Sequence, residues 1–146
     1  MDDPAKTIRV KAILGELRDV NKTRRRSAVM KLGMIGGEQA LRTLMRLVEN
    51  QQEDLIVRGR AALMLGKLKD ERAVPHLIRA LKAPGFLTPY HAAQALGKIG
   101  DPRAITALES LAADSRDKTR RAALEALRQL GHESEYATYG NEHPPI

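Results

Sequence analysis

Basic side chains suited to binding an anion recur between residues 42 and 82 of this 146-residue chain. The set comprises Arg42, Arg46, His76, Arg79 and Lys82. Arg46 and Arg79 are separated by 33 residues. Guanidinium groups bind carboxylates and phosphates through charge-assisted hydrogen bonds. We therefore predict that these residues form a basic surface that binds another protein through an acidic segment.

A second candidate surface, an edge contact, combines basic and aromatic residues: Arg24, Phe86, Tyr90, His91 and Arg121. Arg24 and Arg121 lie in short basic runs at predicted helix starts, where the helix dipole disfavours cations. Phe86, Tyr90 and His91 follow each other closely along the chain. We predict that this edge contacts a partner, with packing of the loop itself as the alternative.

The residue types argue against most enzyme chemistry. The chain contains no Cys, which excludes disulfides, thiolate catalysis and cysteine-bound metals. The sequence contains no Ser/His/Asp arrangement, no glycine-rich phosphate loop and no metal-ligand spacing. We therefore predict no catalytic residue, no bound metal, no cofactor and a non-enzymatic role.

These side chains must be positioned by an internal repeat. The sequence AALMLGKL at residues 61–68 recurs as AAQALGKI at residues 92–99. Four copies align their apolar and small residues in columns: Leu32, Leu65, Leu96 and Leu127; Ala28, Ala61, Ala92 and Ala123; and Gly33, Gly66 and Gly97, with Arg128 in the fourth copy. A period of this length is typical of a solenoid built from helix pairs. Glycine inside a helix costs about 1 kcal/mol relative to alanine, so the glycine column predicts close contact between backbones.

The same alignment predicts the domain organisation. A capping helix occupies residues 4–18, repeats fill residues 21–131, and a polar tail covers residues 132–146 of a chain that otherwise forms one domain. Asp70, Asp101 and Thr88 are predicted to cap helices.

The unit VRxxAAxxLGxLxDxRAVPxLIxAL at residues 57–81 resembles the HEAT repeat, and more closely its short subtype named after phycocyanobilin lyases. The resemblance covers about residues 21–131, although the third copy departs from it at Leu87, Thr88 and Pro89. It implies an all-α, right-handed α-solenoid of about three and a half two-helix HEAT-like repeats. First helices would then lie on the convex side, and second helices would place Arg42, Arg46 and Arg79 on the concave side. The resemblance also implies a structural ladder of hydrogen bonds between neighbouring repeats, because Arg72 and Arg103 each follow an Asp by two residues.

The deoxyhypusine hydroxylases are also HEAT-like, and their iron is bound by repeated His-Glu pairs. His91 falls near that register, but Ala92 follows it. The one His-Glu pair, His132-Glu133, lies after the last predicted helix. A single pair cannot build a di-iron site, so we exclude that activity.

We therefore predict a protein-binding adaptor that uses its concave face. Two alternatives stay open. The resemblance implies a bilin lyase or phycobilisome-associated helper that binds a tetrapyrrole or its acceptor protein, with arginines paired to propionates. The net charge of +7 is compatible with nucleic-acid binding, which the aromatic content of 3% disfavours for single strands. The chain shows no signal peptide and no membrane-length apolar run, so we predict a cytoplasmic location without membrane contact.

Overall fold

The structure, a computed structural model, describes residues 3–137. It contains eight α-helices in that range: α1 (Pro4–Glu16), α2 (Lys22–Ile35), α3 (Glu38–Glu49), α4 (Leu55–Leu68), α5 (Val74–Ala80), α6 (Leu87–Ile99), α7 (Ile105–Asp114) and α8 (Asp117–Gln129). Residues 71–73 and 102–104 form 3-10 turns, and residues 135–137 add a last helical turn. No strand occurs among the described residues. Tyr139 and the rest of residues 138–146 lie outside the described range.

The helices form two layers. In the first layer, α2, α4, α6 and α8 pack side by side in chain order. In the second layer, α3, α5 and α7 pack more extensively on the first-layer helix that follows them than on the one that precedes them. The α1 helix packs on α2 in the same way and shares a surface cavity with α3, so it takes the place of a second-layer helix. These layers are the predicted all-α solenoid.

Packing follows the sequence columns. Leu32, Leu65, Leu96 and Leu127 are fully buried, as are the four aligned alanines. The glycine column marks the closest helix contacts, as predicted. A Cβ at Gly66 would lie 2.8 Å from the Ala95 Cα, and a Cβ at Gly97 would lie 2.9 Å from the Ala126 Cα. These glycines therefore set the distance between first-layer helices.

Arginines join the repeats to one another, as the predicted ladder requires. Arg72 donates to Asp70 and also to Glu38 of the preceding repeat at 2.9–3.0 Å. Arg103 donates to Asp101 and to the Glu71 carbonyl, the latter at 3.3 Å. A third arginine, Arg58, is 4% exposed and donates its Nε and Nη2 groups to the carbonyl oxygen of Val48. Guanidinium donors thus bridge consecutive helices.

Three predicted helix starts are corrected by the structure. Asp70 and Asp101 accept hydrogen bonds from the backbone N–H two residues later, but each caps a 3-10 turn that precedes the α-helix. Thr88 is not a cap, because α6 already begins at Leu87 and Thr88 is fully buried within its first turn. Pro89 is compatible with this start because an N–H in the first turn has no intrahelical partner.

The part of the predicted tail that the structure describes folds back on the last helix. Gly131 ends α8 with a positive φ of 75°, and the His132 N–H donates to the Leu127 carbonyl at 2.9 Å. Ser134 is buried, and the Tyr136 ring lies under the Arg120 guanidinium at 5.9 Å from the ring centroid. Within residues 3–137, no helix has both the length and the apolar content required to cross a bilayer.

Candidate functional site

The predicted basic surface divides into three parts. Arg42 and Arg46 lie on α3, and His76 and Arg79 lie on α5, so the second layer positions all four. Lys82 follows the end of α5 and lines a surface cavity of about 400 Å³, which Phe86 also lines. Lys82 therefore belongs with the edge residues and not with the α3–α5 surface.

Glu49 at the end of α3 neutralises the α5 part of this surface. Its carboxylate accepts from Arg79 Nε and Nη2, and its Oε2 lies 2.5 Å from His76 Nδ1. The hydrogen bonds from Arg79 lower the pKa of Glu49 below its usual value, despite partial burial, which acts in the opposite direction. The carboxylate partner of Arg79 thus comes from the preceding repeat and not from its own helix.

Arg42 is also paired. Its Nε donates to Glu38 at 2.8 Å, one helical turn earlier on α3. Arg72 donates to the same carboxylate, and together the two guanidinium groups lower the pKa of Glu38, with Arg72 the larger cause. Arg42 therefore has an acidic partner within its own helix, which reduces the positive charge that it contributes to the predicted basic surface.

Arg46 differs from these residues, because it lines a small cavity with both polar and apolar walls. This cavity, of about 390 Å³, lies between α1 and α3 and is lined by Leu14, Leu17, Arg18, Thr43, Arg46, Leu47 and Asn50. We call it the α1–α3 cavity. Arg46 Nη2 lies 3.5 Å from Thr43 Oγ1. Among residues 3–137, no carboxylate oxygen lies within 4 Å of the Arg18 or Arg46 guanidinium.

Sequence reasoning did not identify Arg18 as a site residue. Its position at the end of the predicted capping helix, directly after Leu17, was the available signal. The approach of α1 to α3, however, is a tertiary contact without a short-range pattern. The resulting site joins an apolar floor to two guanidinium groups, which suits a largely apolar ligand that carries carboxylates.

The predicted edge contact is not one continuous surface in the structure. Arg24 pairs with Asp19 at 3.2 Å near the start of α2, Phe86 is 60% exposed before α6, and Arg121 is exposed on α8. No hydrogen bond, ion pair or ring contact joins these three residues within the described range. Phe86 remains the exposed aromatic group of the set.

Tyr90 and His91 pack inside the first layer. Their rings meet edge to face at 5.2 Å, and Gln94 donates to the Tyr90 hydroxyl at 3.1 Å. His91 packs close to Gly59 of α4, and this burial lowers the pKa of its imidazole. The alternative of packing therefore describes Tyr90 and His91 better than an edge contact does.

Metal-binding geometry is lacking in the described part of the chain. Residues 3–137 contain no group of three or more His, Asp or Glu side chains arranged to hold a metal ion. His132 Nε2 lies 3.4 Å from Glu109 Oε1, which makes an isolated contact between α7 and the residues that follow α8.

Helix pairs stacked in two layers, with small-residue contacts and an arginine ladder between them, define a repeat protein of the α-solenoid class. The family model of HEAT repeats matches residues 10–88 and again residues 53–128. The chain belongs to the HEAT-repeat family.

Several known proteins are similar to this chain. The phycocyanobilin lyase subunit alpha of Picosynechococcus sp. is 36% identical over 125 residues, which covers 77% of this chain and 46% of that protein. The structure of the complex of CpcE and CpcF of phycocyanin lyase from Nostoc sp. superposes with a TM-score of 0.73 at 28% identity, over 84% of this chain and 53% of the other. The chain thus spans about half the length of these relatives.

A third similarity concerns the fold alone. Human deoxyhypusine hydroxylase superposes with a TM-score of 0.71 at 24% identity, over 97% of this chain and 49% of the other. The names of the phycocyanobilin lyase relatives contradict the predicted non-enzymatic adaptor and favour the bilin-lyase alternative. The adaptor prediction was wrong because it gave weight to the absence of catalytic motifs, and a repeat scaffold can contribute to catalysis without one.

Proposed function

We propose that this chain is a component of a bilin lyase and binds a linear tetrapyrrole in the α1–α3 cavity. The observation that carries the proposal is the position of Arg18 and Arg46 beside Leu14, Leu17 and Leu47, without a carboxylate partner among the described residues. The relatives named phycocyanobilin lyase support the choice of ligand. Paired arginines such as Arg79 offer less binding energy because their charge is already compensated.

The chemistry of the cavity matches the ligand in two respects. A tetrapyrrole has an extended apolar π-system, and the half-buried leucines supply an apolar surface for part of it. Its propionates are carboxylates, and guanidinium groups bind these through short, charge-assisted hydrogen bonds. Arg18 and Arg46 would orient the bilin, and the leucines would exclude water from one of its faces.

The cavity is open and offers room for one part of a bilin. Its volume of about 390 Å³ lies near the lower end of the range of about 300–1,000 Å³ for small-molecule sites. We therefore propose that a second protein completes the site. The similar structure is a complex of two proteins, and this chain spans about half of the chain that it matches.

Absorbance titration with phycocyanobilin tests this function. The wild-type chain is expected to shift and intensify the visible absorption of the bilin, because binding restricts its conformations. Arg18→Glu and Arg46→Glu are each expected to weaken binding about tenfold or more, since a charged hydrogen bond contributes about 1.5–3 kcal/mol. The matched control is Arg42→Glu on the same helix, which should bind nearly as wild type.

The dimethyl ester of the bilin provides a second control, because it keeps the π-system and lacks the carboxylates. The ester should bind to wild type more weakly than the free bilin does. It should bind to Arg46→Glu and to wild type with equal affinity. Equal binding of the free bilin to wild type, Arg18→Glu and Arg46→Glu would remove the α1–α3 cavity as the site. If wild type causes no spectral change at all, the proposed function itself fails.

A further inference from the structure

The first layer has an open apolar groove at its N-terminal end. This groove lies between α1 and α2, has a volume of about 600 Å³, and is lined mainly by apolar atoms of residues such as Ala12, Ile13, Met30 and Met34. Met34 is 65% exposed there. We call it the end groove. Large exposed apolar patches of this kind mark contact surfaces more often than chance.

The end groove lies where the stacking pattern would place another helix. Met64 of α4 packs on Gly33 of α2, and Ala95 of α6 packs on Gly66 of α4, so each first-layer helix rests on the one before it. Within the described residues, α2 has no preceding first-layer helix, while α1 occupies the second layer beside it. The groove between them therefore has the location that a further first-layer helix would take.

The residue types along α2 agree with this location. Arg60 on α4 reaches back and donates to the Arg26 carbonyl at 2.9 Å, which fills the space between neighbouring helices. The residue of α2 at the same repeat position, 33 residues earlier, is the small Ser27, which lines the end groove. The groove is therefore not filled by side chains of residues 3–137.

The charged residues that line the end groove indicate which kind of partner it binds. Two cations, Arg9 and Lys31, line the end groove, and no carboxylate side chain lines it. Lys31 forms an exposed ion pair with Glu16 at 3.1 Å, which solvent screens and which a competing carboxylate can replace at little cost. We propose that the end groove binds an amphipathic helix of a different protein, with an apolar stripe facing Met30 and Met34 and acidic residues along its flanks.

A second copy of this chain fits the end groove poorly. Head-to-tail stacking would bring the outer side of α8 to α2. On α8, Arg128 replaces the glycine on which Met64, Ala95 and Ala126 pack in the other repeats. Arg128 is exposed and paired with Glu125, and its long side chain would prevent the close approach that the glycines allow. The occupant is therefore an acidic helix and not a copy of this chain.

The test uses the intact chain and a synthetic helical peptide of about 15 residues, the length of a first-layer helix. The peptide carries Ala and Leu on one stripe and Glu elsewhere, and a matched peptide carries Lys in place of Glu. Fluorescence anisotropy should show binding of the acidic peptide and about tenfold or more weaker binding of the basic one. NMR of the methionine methyl groups, labelled with carbon-13, reports where on the protein the peptide binds.

On titration with the acidic peptide, the methyl signals of Met30 and Met34 should shift, and that of Met45 in the second layer should not. Met34→Glu should weaken binding about tenfold or more, because it puts a like charge opposite the acidic peptide. Because Met34 is largely exposed, this variant is expected to fold as wild type does, and circular dichroism checks this. Arg128→Glu at the opposite end is the control and should bind as wild type.

Three results would overturn the proposal: no binding of the acidic peptide, equal binding of both peptides, or shifts of Met45 without shifts of Met30 and Met34. Self-association that Met34→Glu abolishes, measured by sedimentation, would assign the groove to a second copy instead. The outcome is independent of the bilin titration, because the end groove and the α1–α3 cavity share no lining residue.

Discussion

Glu49 of α3 holds Arg79 of α5 through both of its carboxylate oxygens, so that a single ion pair links two consecutive second-layer helices. His76 contacts the same carboxylate from one turn earlier on α5. The link explains why the basic surface expected from the sequence is not uniform. It also changes what a charge reversal at each arginine is expected to do.

Arg79→Glu should destabilise the fold more than Arg46→Glu does. The first variant places two carboxylates together at Glu49, whereas Arg46 has no carboxylate partner within residues 3–137. We expect Arg46→Glu to change the free energy of unfolding by at most about 0.5 kcal/mol. A double-mutant cycle of Glu49→Ala and Arg79→Ala should give a coupling of about 0.2–1 kcal/mol, because Arg79 is largely exposed. Equal urea midpoints for the two reversals would contradict this.

Gly66→Ala should destabilise the chain by about 1–3 kcal/mol through overpacking. The added Cβ would lie 2.8 Å from the Cα of Ala95, and backbone atoms of α6 cannot move away individually. Gly15→Ala is the matched control in α1, since nothing lies within 4 Å of its added Cβ. Gly15→Ala should raise the free energy of unfolding by up to about 1 kcal/mol, because alanine favours the helix more than glycine does. Thermal unfolding that shifts in the same direction for both variants would disprove the packing argument.

Asp54 should make stability depend on pH in the acidic range. Arg26 donates two hydrogen bonds of 2.8 Å to its carboxylate and thereby lowers the pKa of Asp54 well below its usual value. A carboxyl group with a lowered pKa in the folded state contributes stability above its unfolded pKa, and this contribution is lost as the pH falls below it. Asp54→Asn keeps a capping side chain and removes the charge.

We expect Asp54→Asn to be less stable than wild type by about 1 kcal/mol at pH 7. The difference in urea midpoint should narrow as the pH falls below about 4, the usual pKa of an aspartate. A difference that stays constant between pH 7 and pH 3 would show that the ion pair contributes nothing and that only the cap matters.

Tyr136→Ala should weaken the end of the solenoid. The aromatic ring lies under the Arg120 guanidinium, and a contact of this type contributes about 0.5–1 kcal/mol at partly exposed sites. Its loss uncovers part of α8, where Leu124 and Leu130 are half-buried. We expect a lower melting temperature and stronger binding of a hydrophobic dye. Tyr136→Phe keeps the ring and should behave as wild type; a similar loss in both variants would assign the effect to the hydroxyl group.

The repeat columns could be predicted from sequence because each position recurs with the same chemistry. Leu65 and Leu96 are buried, and Gly66 and Gly97 lie at close contacts, as their alignment indicates. The ladder arginines could be predicted for the same reason, since Asp and Arg stand two residues apart in two copies. A regular architecture converts local patterns into tertiary contacts.

The partners of the surface charges could not be predicted in the same way. Glu49 lies 30 residues before Arg79, and nothing in the short-range pattern indicates that the two meet. The α1–α3 cavity depends on where a lone helix docks, which has no repeat to guide it. Arg18 was missed for this reason. Packing of Tyr90 and His91 was only the alternative interpretation, because the third repeat departs from the pattern just before them and gave no column to align them with.

The offset between the layers has a consequence for how this protein divides and evolves. Since α3 packs more on α4 than on α2, and α5 on α6, the packing unit begins one helix later than the unit read from the sequence. A deletion or duplication that begins with a second-layer helix and ends just before the next one would remove or add one complete packing unit. A cut after α5, in contrast, would separate that helix from the neighbour that buries it. Recombination events and protein dissection should therefore both favour junctions that lie between a first-layer helix and the second-layer helix that follows it.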